Sequence, residues 1–424
     1  MTLTEKGYRK RLIDEKIMQY MRLFGAVSIE GPKWCGKTWT ALNHVKSVVY
    51  MMDPEGDYAN REAARLNPAA ILTGNKPLLV DEWQEVPAIW DAVRFAADRT
   101  KDKGIFVLTG SSTPKDKAPM HSGAGRIGKI RMRTMSLYES GESSGLVSLT
   151  ELFAGKSVET GMSKIKQDSL IGLLIRGGWP ENINSASTDA GIVPEQYIEA
   201  IINSDITYVD NINRNPELAS HLLSAVARTN MTQAMLNTIV ADVRARFRNV
   251  ARQTIAEYLS AFLRLYVIEE IPQWFPELRD KLRLRKAPKR MLADPSIAVA
   301  ALRANSNDLA RDPRTLGGIF ENLCIRDLLV YSDVIGAKLS HYHDETNLEV
   351  DAIIEQGTKW AGIEIKMGAH RVDEGAATLT RLRNKVVSKG AVDPAFLCVV
   401  TGGGPLYTRE DGIHVIPIDC FKPL

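Results

Sequence analysis

The chain has 424 residues, long enough for two to four domains of ordinary size. Its hydrophobic fraction of 44% and charged fraction of 25% exclude large-scale disorder, and a net charge of +3 is too small to indicate nucleic-acid binding by itself. Four widely spaced cysteines exclude a disulfide framework and a cysteine-rich zinc site. Because no secretory signal or long apolar run is visible, we expect a cytoplasmic protein without membrane contact.

Short apolar runs alternate with helical patterns from the start of the chain to about residue 137. Strands are predicted at 26–31, 47–53, 77–83, 104–112 and 126–137, with helices at 37–45, 61–72 and 89–99. This alternation predicts an α/β fold with a parallel sheet. Residues 146–275 have a helical pattern, clearest at 254–270, and a mixed α/β region follows Gly317.

A phosphate-binding motif follows the first predicted strand. Residues 31–38 read Gly-Pro-Lys-Trp-Cys-Gly-Lys-Thr, which fits GxxxxGK[ST] between a strand and a helix. Gly31 and Gly36 allow the backbone N–H groups to turn toward phosphate oxygens, Lys37 would pair with the β- and γ-phosphates, and Thr38 would hold Mg²⁺. The alternative is a chance match in a helix-capping loop.

The third predicted strand ends in two carboxylates, which fit a Walker B motif. Asp81 would organise Mg²⁺, and Glu82 would polarise the attacking water. Ser111 follows the next strand, where a polar residue can sense the γ-phosphate, and Arg126 is a candidate arginine finger or sensor. The alternatives are solvated carboxylates, a turn rich in small polar residues, and one basic residue among several.

The middle of the chain contains two clusters of basic residues. One holds Arg279, Lys281, Arg283, Arg285, Lys286, Lys289 and Arg290, and the other holds Arg244, Arg246, Arg248 and Arg252. The pattern from 248 to 272 resembles a recognition helix followed by a strand, so the first cluster would lie on the wing of a winged helix-turn-helix and contact DNA phosphates. A solvated surface or an oligomer contact is the alternative.

A third constellation lies near the C-terminus. Asp351 is on one predicted strand, and Glu364 and Lys366 share one face of the next, because side chains alternate along a strand. This D…ExK arrangement is seen in PD-(D/E)xK nucleases, in which two carboxylates coordinate Mg²⁺ and the lysine stabilises charge on the scissile phosphate. A surface ion pair, or a fold kept only for binding, is the alternative.

The order of these motifs resembles AAA-type ATPases of bacteria and archaea that carry a C-terminal domain of unknown function. GPKWCGKT, LLVDEW, LTGSS, AGRIGKIRMRTMSLYE and the later RGGWPE carry the resemblance, which covers nearly the whole chain. It implies an ATPase domain (1–145), a helical, winged-helix-like module (146–310) and a restriction-endonuclease-like α/β domain (311–424). The similarity to nucleases also implies that Glu321 completes the metal site with Asp351 and Glu364.

The sequence thus predicts a Mg²⁺-dependent ATPase whose nucleotide state controls a nuclease-like domain directed to nucleic acid, with ATP and Mg²⁺ as its ligands. The alternative is an ATP-dependent switch that binds a protein partner or DNA through an inactive nuclease-like domain. AAA-type ATPases often form rings, so the resemblance also implies oligomerisation.

Overall fold

The computed structural model describes residues 3–114, 122–233, 236–276 and 288–424. The chain divides into two compact units. Unit 1 combines Met1–Thr134 with two later segments, Asn203–Arg214 and Glu257–Val267, and unit 2 contains the remainder. The division at residues 145 and 310 remains a prediction about domains, and these units do not follow it.

The helices of the described residues are, in chain order, α1 (Asp14–Leu23), α2 (Lys37–Leu42), α3 (Ala59–Leu66), α4 (Ala88–Thr100), α5 (Leu137–Ser140), α6 (Leu149–Phe153), α7 (Gln167–Arg176), α8 (Ile192–Ala200), α9 (Ile206–Tyr208), α10 (Pro216–Arg228), α11 (Leu236–Arg246), α12 (Arg252–Arg264), α13 (Pro295–Leu302), α14 (Ser306–Arg311), α15 (Pro313–Val334) and α16 (Val372–Val387). No helix of the described ranges combines the length and apolar character needed to cross a bilayer.

The strands in the same ranges are β1 (Ala26–Glu30), β2 (Ser47–Tyr50), β3 (Leu78–Asp81), β4 (Phe106–Gly110), β5 (Ile127–Arg131), β6 (Val147–Ser148), β7 (Gly161–Met162), β8 (Ile268–Ile271), β9 (Lys289–Leu292), β10 (Lys338–His343), β11 (Glu349–Gln356), β12 (Lys359–Ile365), β13 (Phe396–Thr401), β14 (Pro405–Thr408), β15 (His414–Pro417) and β16 (Phe421–Lys422).

Unit 1 is built on a five-stranded parallel sheet in the order β2-β3-β4-β1-β5, which confirms the predicted α/β class with a parallel sheet. The central strands are apolar and buried, as expected of a sheet with both faces covered. Since the strands are parallel, their carboxyl ends meet at one edge. Register places Asp81 opposite Thr109 and Glu30 opposite Gly110 there.

Unit 2 contains a mixed seven-stranded sheet in the order β10-β11-β12-β13-β15-β14-β7. Strands β11 and β12 are antiparallel, whereas β12 and β13 are parallel and are joined through α16. Apolar side chains of α16, among them Leu379 and Leu382, pack on Val350, Ile353 and Val399 of the sheet. This packing fixes the two strands that carry the predicted D…ExK residues.

The helix predicted at 254–270 is shorter in the structure. It ends at Arg264, and β8 begins at Ile268. Tyr266 has φ +60°, a left-handed conformation that cannot continue a right-handed helix. The N–H of Val267 donates to the carbonyl of Phe262, as in a Schellman C-cap. The sequence signal failed here because such caps usually carry glycine, not tyrosine.

Candidate functional site

The P-loop connects β1 to α2 at the carboxyl edge of the parallel sheet. Gly36 has φ +97°, a conformation that favours glycine, immediately before Lys37 begins the helix. A Cβ on Gly31 would lie 2.2 Å from the backbone oxygen of Met132, so only glycine fits at the start of the loop. The Lys37 side chain is buried, and its Nζ donates to the carbonyl of Pro32 at 2.8 Å.

This close approach leads to a prediction about the loop. Gly31→Ala must displace the loop or Met132, and forced overpacking of this kind costs about 1–3 kcal/mol. We expect ATP affinity to fall about tenfold or more, because the displaced backbone is the part that would surround phosphate. Calorimetric titration with ATP measures this affinity. Gly172→Ala is the matched control, because a Cβ there meets nothing within 4 Å. Equal affinity in the two variants would contradict the prediction.

Asp81, at the end of β3, faces hydroxyl groups from the P-loop and from β4. The Thr38 Oγ1 donates to Asp81 Oδ1 at 2.7 Å, and the Thr109 Oγ1 donates to the same oxygen at 2.6 Å. Burial raises the pKa of Asp81, and the two hydrogen bonds oppose that rise. A threonine hydroxyl beside a carboxylate is an oxygen donor set that fits Mg²⁺, which prefers oxygen ligands.

Glu82 is held in place by Ser111, which follows β4, and by Gln84, two residues further along its own segment. Its backbone has φ +56°, which is unusual for a residue with a side chain. Ser111 Oγ donates to Glu82 Oε2 at 2.6 Å, and Gln84 donates to the same oxygen. The predicted γ-phosphate sensor, Ser111, therefore contacts the predicted catalytic carboxylate. Gln84 was missed because nothing in its local sequence distinguishes it from a surface residue.

Arg126 lies just before β5, and its Nε donates to Asp98 of α4. The Arg126 side chain is 52% exposed, and no P-loop residue is among its ion-pair partners in the described part of the chain. Its assignment as a nucleotide-binding arginine therefore stays a prediction.

Two later segments of the chain contact the P-loop side of unit 1. Tyr266 donates its hydroxyl to Glu30 Oε2 at 3.1 Å, and the Arg131 guanidinium lies 3.8 Å from the centre of the tyrosine ring. Lys33, within the P-loop, pairs with Asp205 at 2.6 Å. These partners were missed, because they are more than 130 residues away in sequence and no local motif marks them.

The structure brings the predicted D…ExK residues of unit 2 together. Asp351 of β11 accepts a hydrogen bond from the backbone N–H of Ile365 at 2.8 Å. The Lys366 Nζ lies 2.5 Å from Glu364 Oε2 and 3.9 Å from Asp351 Oδ2. The Glu364 side chain is almost wholly buried. This lysine therefore lies between the two carboxylates.

A second lysine, Lys289 of β9, enters the cluster from the opposite side. Its Nζ lies 2.6 Å from Glu321 Oε1, 3.3 Å from Glu349 Oε1 and 3.7 Å from Asp351 Oδ1. The Lys289 side chain is 1% exposed. The sequence predicts a basic residue on the surface of the wing at this position, which is wrong because the side chain is buried; its partners are 32 to 62 residues further along the chain.

Burial and repulsion between neighbouring carboxylates raise the pKa values of acidic groups in this cluster. Burial, followed by the neighbouring Asp351 carboxylate, raises the pKa of Glu364, and Lys366 opposes the rise. Burial likewise raises the pKa of Glu321 against the attraction of Lys289. Burial by itself lowers the pKa of Lys289, but the surrounding carboxylates outweigh it and raise that pKa above its usual range.

A divalent cation shared by Glu321, Asp351 and Glu364 does not fit this arrangement. Lys289 occupies the space between Glu321 and Asp351, and Lys366 lies between Asp351 and Glu364. Among the residues that the structure describes, no three His, Cys, Asp or Glu side chains are grouped to hold a metal ion.

A cavity of about 870 Å³ opens beside the cluster within unit 2. Its lining includes Asp351, Lys366 and three arginines, Arg228, Arg314 and Arg371. Its basic and acidic groups are arranged around one concave surface, which is a common property of ligand sites.

The predicted DNA-contacting basic residues are only partly described. Arg279, Lys281, Arg283, Arg285 and Lys286 lie outside the described residues. Of the others in that run, Lys289 is buried and Arg290 pairs with Glu270. In the second cluster, Arg246 pairs with Glu217 and Arg252 donates to Asn237.

Comparisons with known proteins divide the chain into three matched regions. Residues 24–141 match the AAA domain family, residues 167–308 match a domain of unknown function (DUF8612), and residues 316–421 match another (DUF4143). Residues 24–141 are therefore similar to AAA domains, and the two later regions are similar to domains of unknown function.

Individual proteins with similarity to the chain were also found. An uncharacterised protein of Mycobacterium tuberculosis is 24% identical over 403 residues, which is 93% of this chain and 80% of that protein. A Walker-type ATPase of Pyrococcus abyssi has a TM-score of 0.44 and 11% identity, over 71% of this chain and 97% of that one. AMPPCP-bound DnaA of Aquifex aeolicus has a TM-score of 0.29 and 11% identity, over 59% and 86%.

Proposed function

We propose that unit 1 binds and hydrolyses ATP. The observation that carries the proposal is the pair of hydroxyls, Thr38 and Thr109, bonded to one oxygen of Asp81 beside the P-loop. Thr38 and Asp81 would hold Mg²⁺, which would neutralise negative charge that develops on the phosphates during phosphoryl transfer. The AAA-domain match over the same residues supports this assignment.

Other residues of the site would position phosphate and water. The Lys37 ammonium, which bonds Pro32 in this structure, would exchange that carbonyl for the β- and γ-phosphate oxygens. Backbone N–H groups between Gly31 and Gly36 would surround the phosphates. Glu82 would polarise the attacking water, and Ser111 would hold its carboxylate in place.

We further propose that the nucleotide state of unit 1 controls a nuclease-like domain in unit 2 that is directed to nucleic acid, most simply DNA. The juxtaposition of Asp351, Glu364 and Lys366 on adjacent strands supports the nuclease-like assignment, and arginines in the adjoining cavity suit phosphate groups. The antiparallel pair of β8 and β9 that follows α12 supports a winged-helix-like module.

One observation favours a second candidate function for unit 2. Because lysine ammonium groups fill the spaces between its carboxylates, metal-assisted cleavage does not follow from this arrangement. The unit would then bind DNA or a protein partner under ATP control without cutting.

The two candidates separate in one set of assays. Plasmid and single-stranded DNA are incubated with the protein and Mg²⁺ or Mn²⁺, with and without ATP. If unit 2 is a nuclease, cleavage disappears in Asp351→Ala; if it only binds, wild type and Asp351→Ala show the same background. Under either candidate, if unit 2 binds DNA, Lys37→Ala should abolish the effect of ATP on that binding, since the variant lacks the phosphate-pairing ammonium. An ATP effect unchanged in Lys37→Ala would refute the coupling.

A further inference from the structure

The buried ammonium of Lys289 is the most unusual feature of unit 2. Three carboxylates from two elements converge on it: Glu321 from α15, and Glu349 and Asp351 from β11. Lysine is almost never fully buried unless it is paired. This strand position therefore holds a cation at the centre of an acidic cluster and away from solvent.

Both oxygens of Asp351, and one oxygen each of Glu321 and Glu364, already lie beside an ammonium group. Asp351 Oδ1 lies 3.7 Å from Lys289, while Oδ2 accepts the Ile365 N–H and lies 3.9 Å from Lys366. Glu321 Oε1 bonds Lys289 at 2.6 Å, and Glu364 Oε2 bonds Lys366 at 2.5 Å. A divalent ion entering between Glu321 and Asp351 would meet the Lys289 ammonium in the same space.

We propose that Lys289 takes the place of a divalent cation in this cluster, so that the native protein binds no metal ion between Glu321 and Asp351. A like charge at contact distance in a poorly solvated site is strongly repulsive. The ammonium cannot simply withdraw, because it would leave the largely buried Glu321 without its ion-pair partner and Asp351 with Lys366 alone, at 3.9 Å. This proposal concerns unit 2 alone and holds whether or not unit 1 hydrolyses ATP.

The charge balance of the cluster indicates what removal of Lys289 should do. Four carboxylates, those of Glu321, Glu349, Asp351 and Glu364, face the ammonium groups of Lys289 and Lys366. Replacing Lys289 with methionine keeps an unbranched chain of similar length and deletes one positive charge. The space between Glu321 and Asp351 is then acidic and has no cation, as a divalent-metal site requires.

The test is Mn²⁺ binding, measured by calorimetry and by electron paramagnetic resonance, to nucleotide-free protein. All variants carry Asp81→Asn, which removes the acidic ligand of the P-loop site. In the parent, we expect that Asp351→Asn does not change Mn²⁺ binding. In Lys289→Met, we expect the Mn²⁺ affinity to be at least about tenfold higher than in the parent. Adding Asp351→Asn should remove the gain. Arg290→Met is the control. It also deletes a positive charge from β9, but the partner of Arg290 is Glu270 and not a carboxylate of the cluster.

Two results would overturn the proposal. One is Mn²⁺ binding by the parent that is lost when Asp351→Asn is added to it. The other is a Lys289→Met protein that has the parent's circular dichroism and gains no binding. If Lys289→Met does not fold, Lys289→Gln replaces it, and the measurement on the parent with and without Asp351→Asn still decides the first result.

Discussion

Glu82→Gln is expected to slow ATP hydrolysis by about 10²–10⁴-fold while leaving ATP affinity nearly unchanged, because a general base contributes in that range. Glutamine keeps the shape of the side chain and an oxygen that can accept the Ser111 hydroxyl, which donates at 2.6 Å in the wild-type protein. It removes only the negative charge that would polarise water. Phosphate release at saturating Mg²⁺–ATP measures the rate, and calorimetric titration measures the affinity.

The matched control is Glu55→Gln, which makes the same chemical change at an exposed residue after β2. We expect the control to hydrolyse ATP at the wild-type rate. Loss of ATP affinity in Glu82→Gln would instead assign Glu82 to nucleotide binding, and an undiminished rate would exclude it as the base.

Arg326→Met should reduce the free energy of unfolding of unit 2 by about 3–5 kcal/mol, the cost of breaking a buried ion pair by removing one partner. The guanidinium, 1% exposed, donates to Asp294 at 3.0 Å and to Asp327 at 2.9 and 2.7 Å. Those carboxylates also accept the N–H groups of Gly178 and Leu137. Without the arginine, two buried carboxylates lose their counter-ion.

Denaturant unfolding followed by circular dichroism measures this effect. Because the chain has two compact units, its unfolding need not be a single two-state transition. We expect Arg326→Met to lower the denaturant midpoint of unit 2 and to leave that of unit 1 unchanged. Arg381→Met, at an exposed position of α16, is the control and should change stability by no more than about 0.5 kcal/mol. If the two variants unfold alike, the Arg326 network does not stabilise the fold.

The parts of the site that are local in sequence could be predicted, because spacing alone determines their geometry. The P-loop motif needs one turn between a strand and a helix, and Asp81 lies near it because parallel strands end at a common edge. The D…ExK residues likewise follow from the two-residue period of adjacent strands.

The parts that depend on distant partners could not be predicted. Lys289 looked like one member of a basic surface run, and only the fold brings Glu321 and Asp351 to it. Lys33 resembled any variable P-loop residue, yet it pairs with Asp205, 172 residues away. A charge pattern in sequence does not reveal whether a cation is solvated or buried, since burial is decided by elements elsewhere in the chain.

The discontinuity of unit 1 also has a consequence for biosynthesis. The ribosome makes the P-loop before Asp205 and Tyr266, the residues that contact Lys33 and Glu30. At about 5–20 residues per second, Tyr266 is added roughly ten seconds after the last strand of the parallel sheet. During this time the nascent parallel sheet lacks the contact of Tyr266 with Glu30, and at first also that of Asp205 with Lys33. Part of unit 2 is synthesised in the same interval. The P-loop is therefore synthesised well before the two residues that contact Glu30 and Lys33.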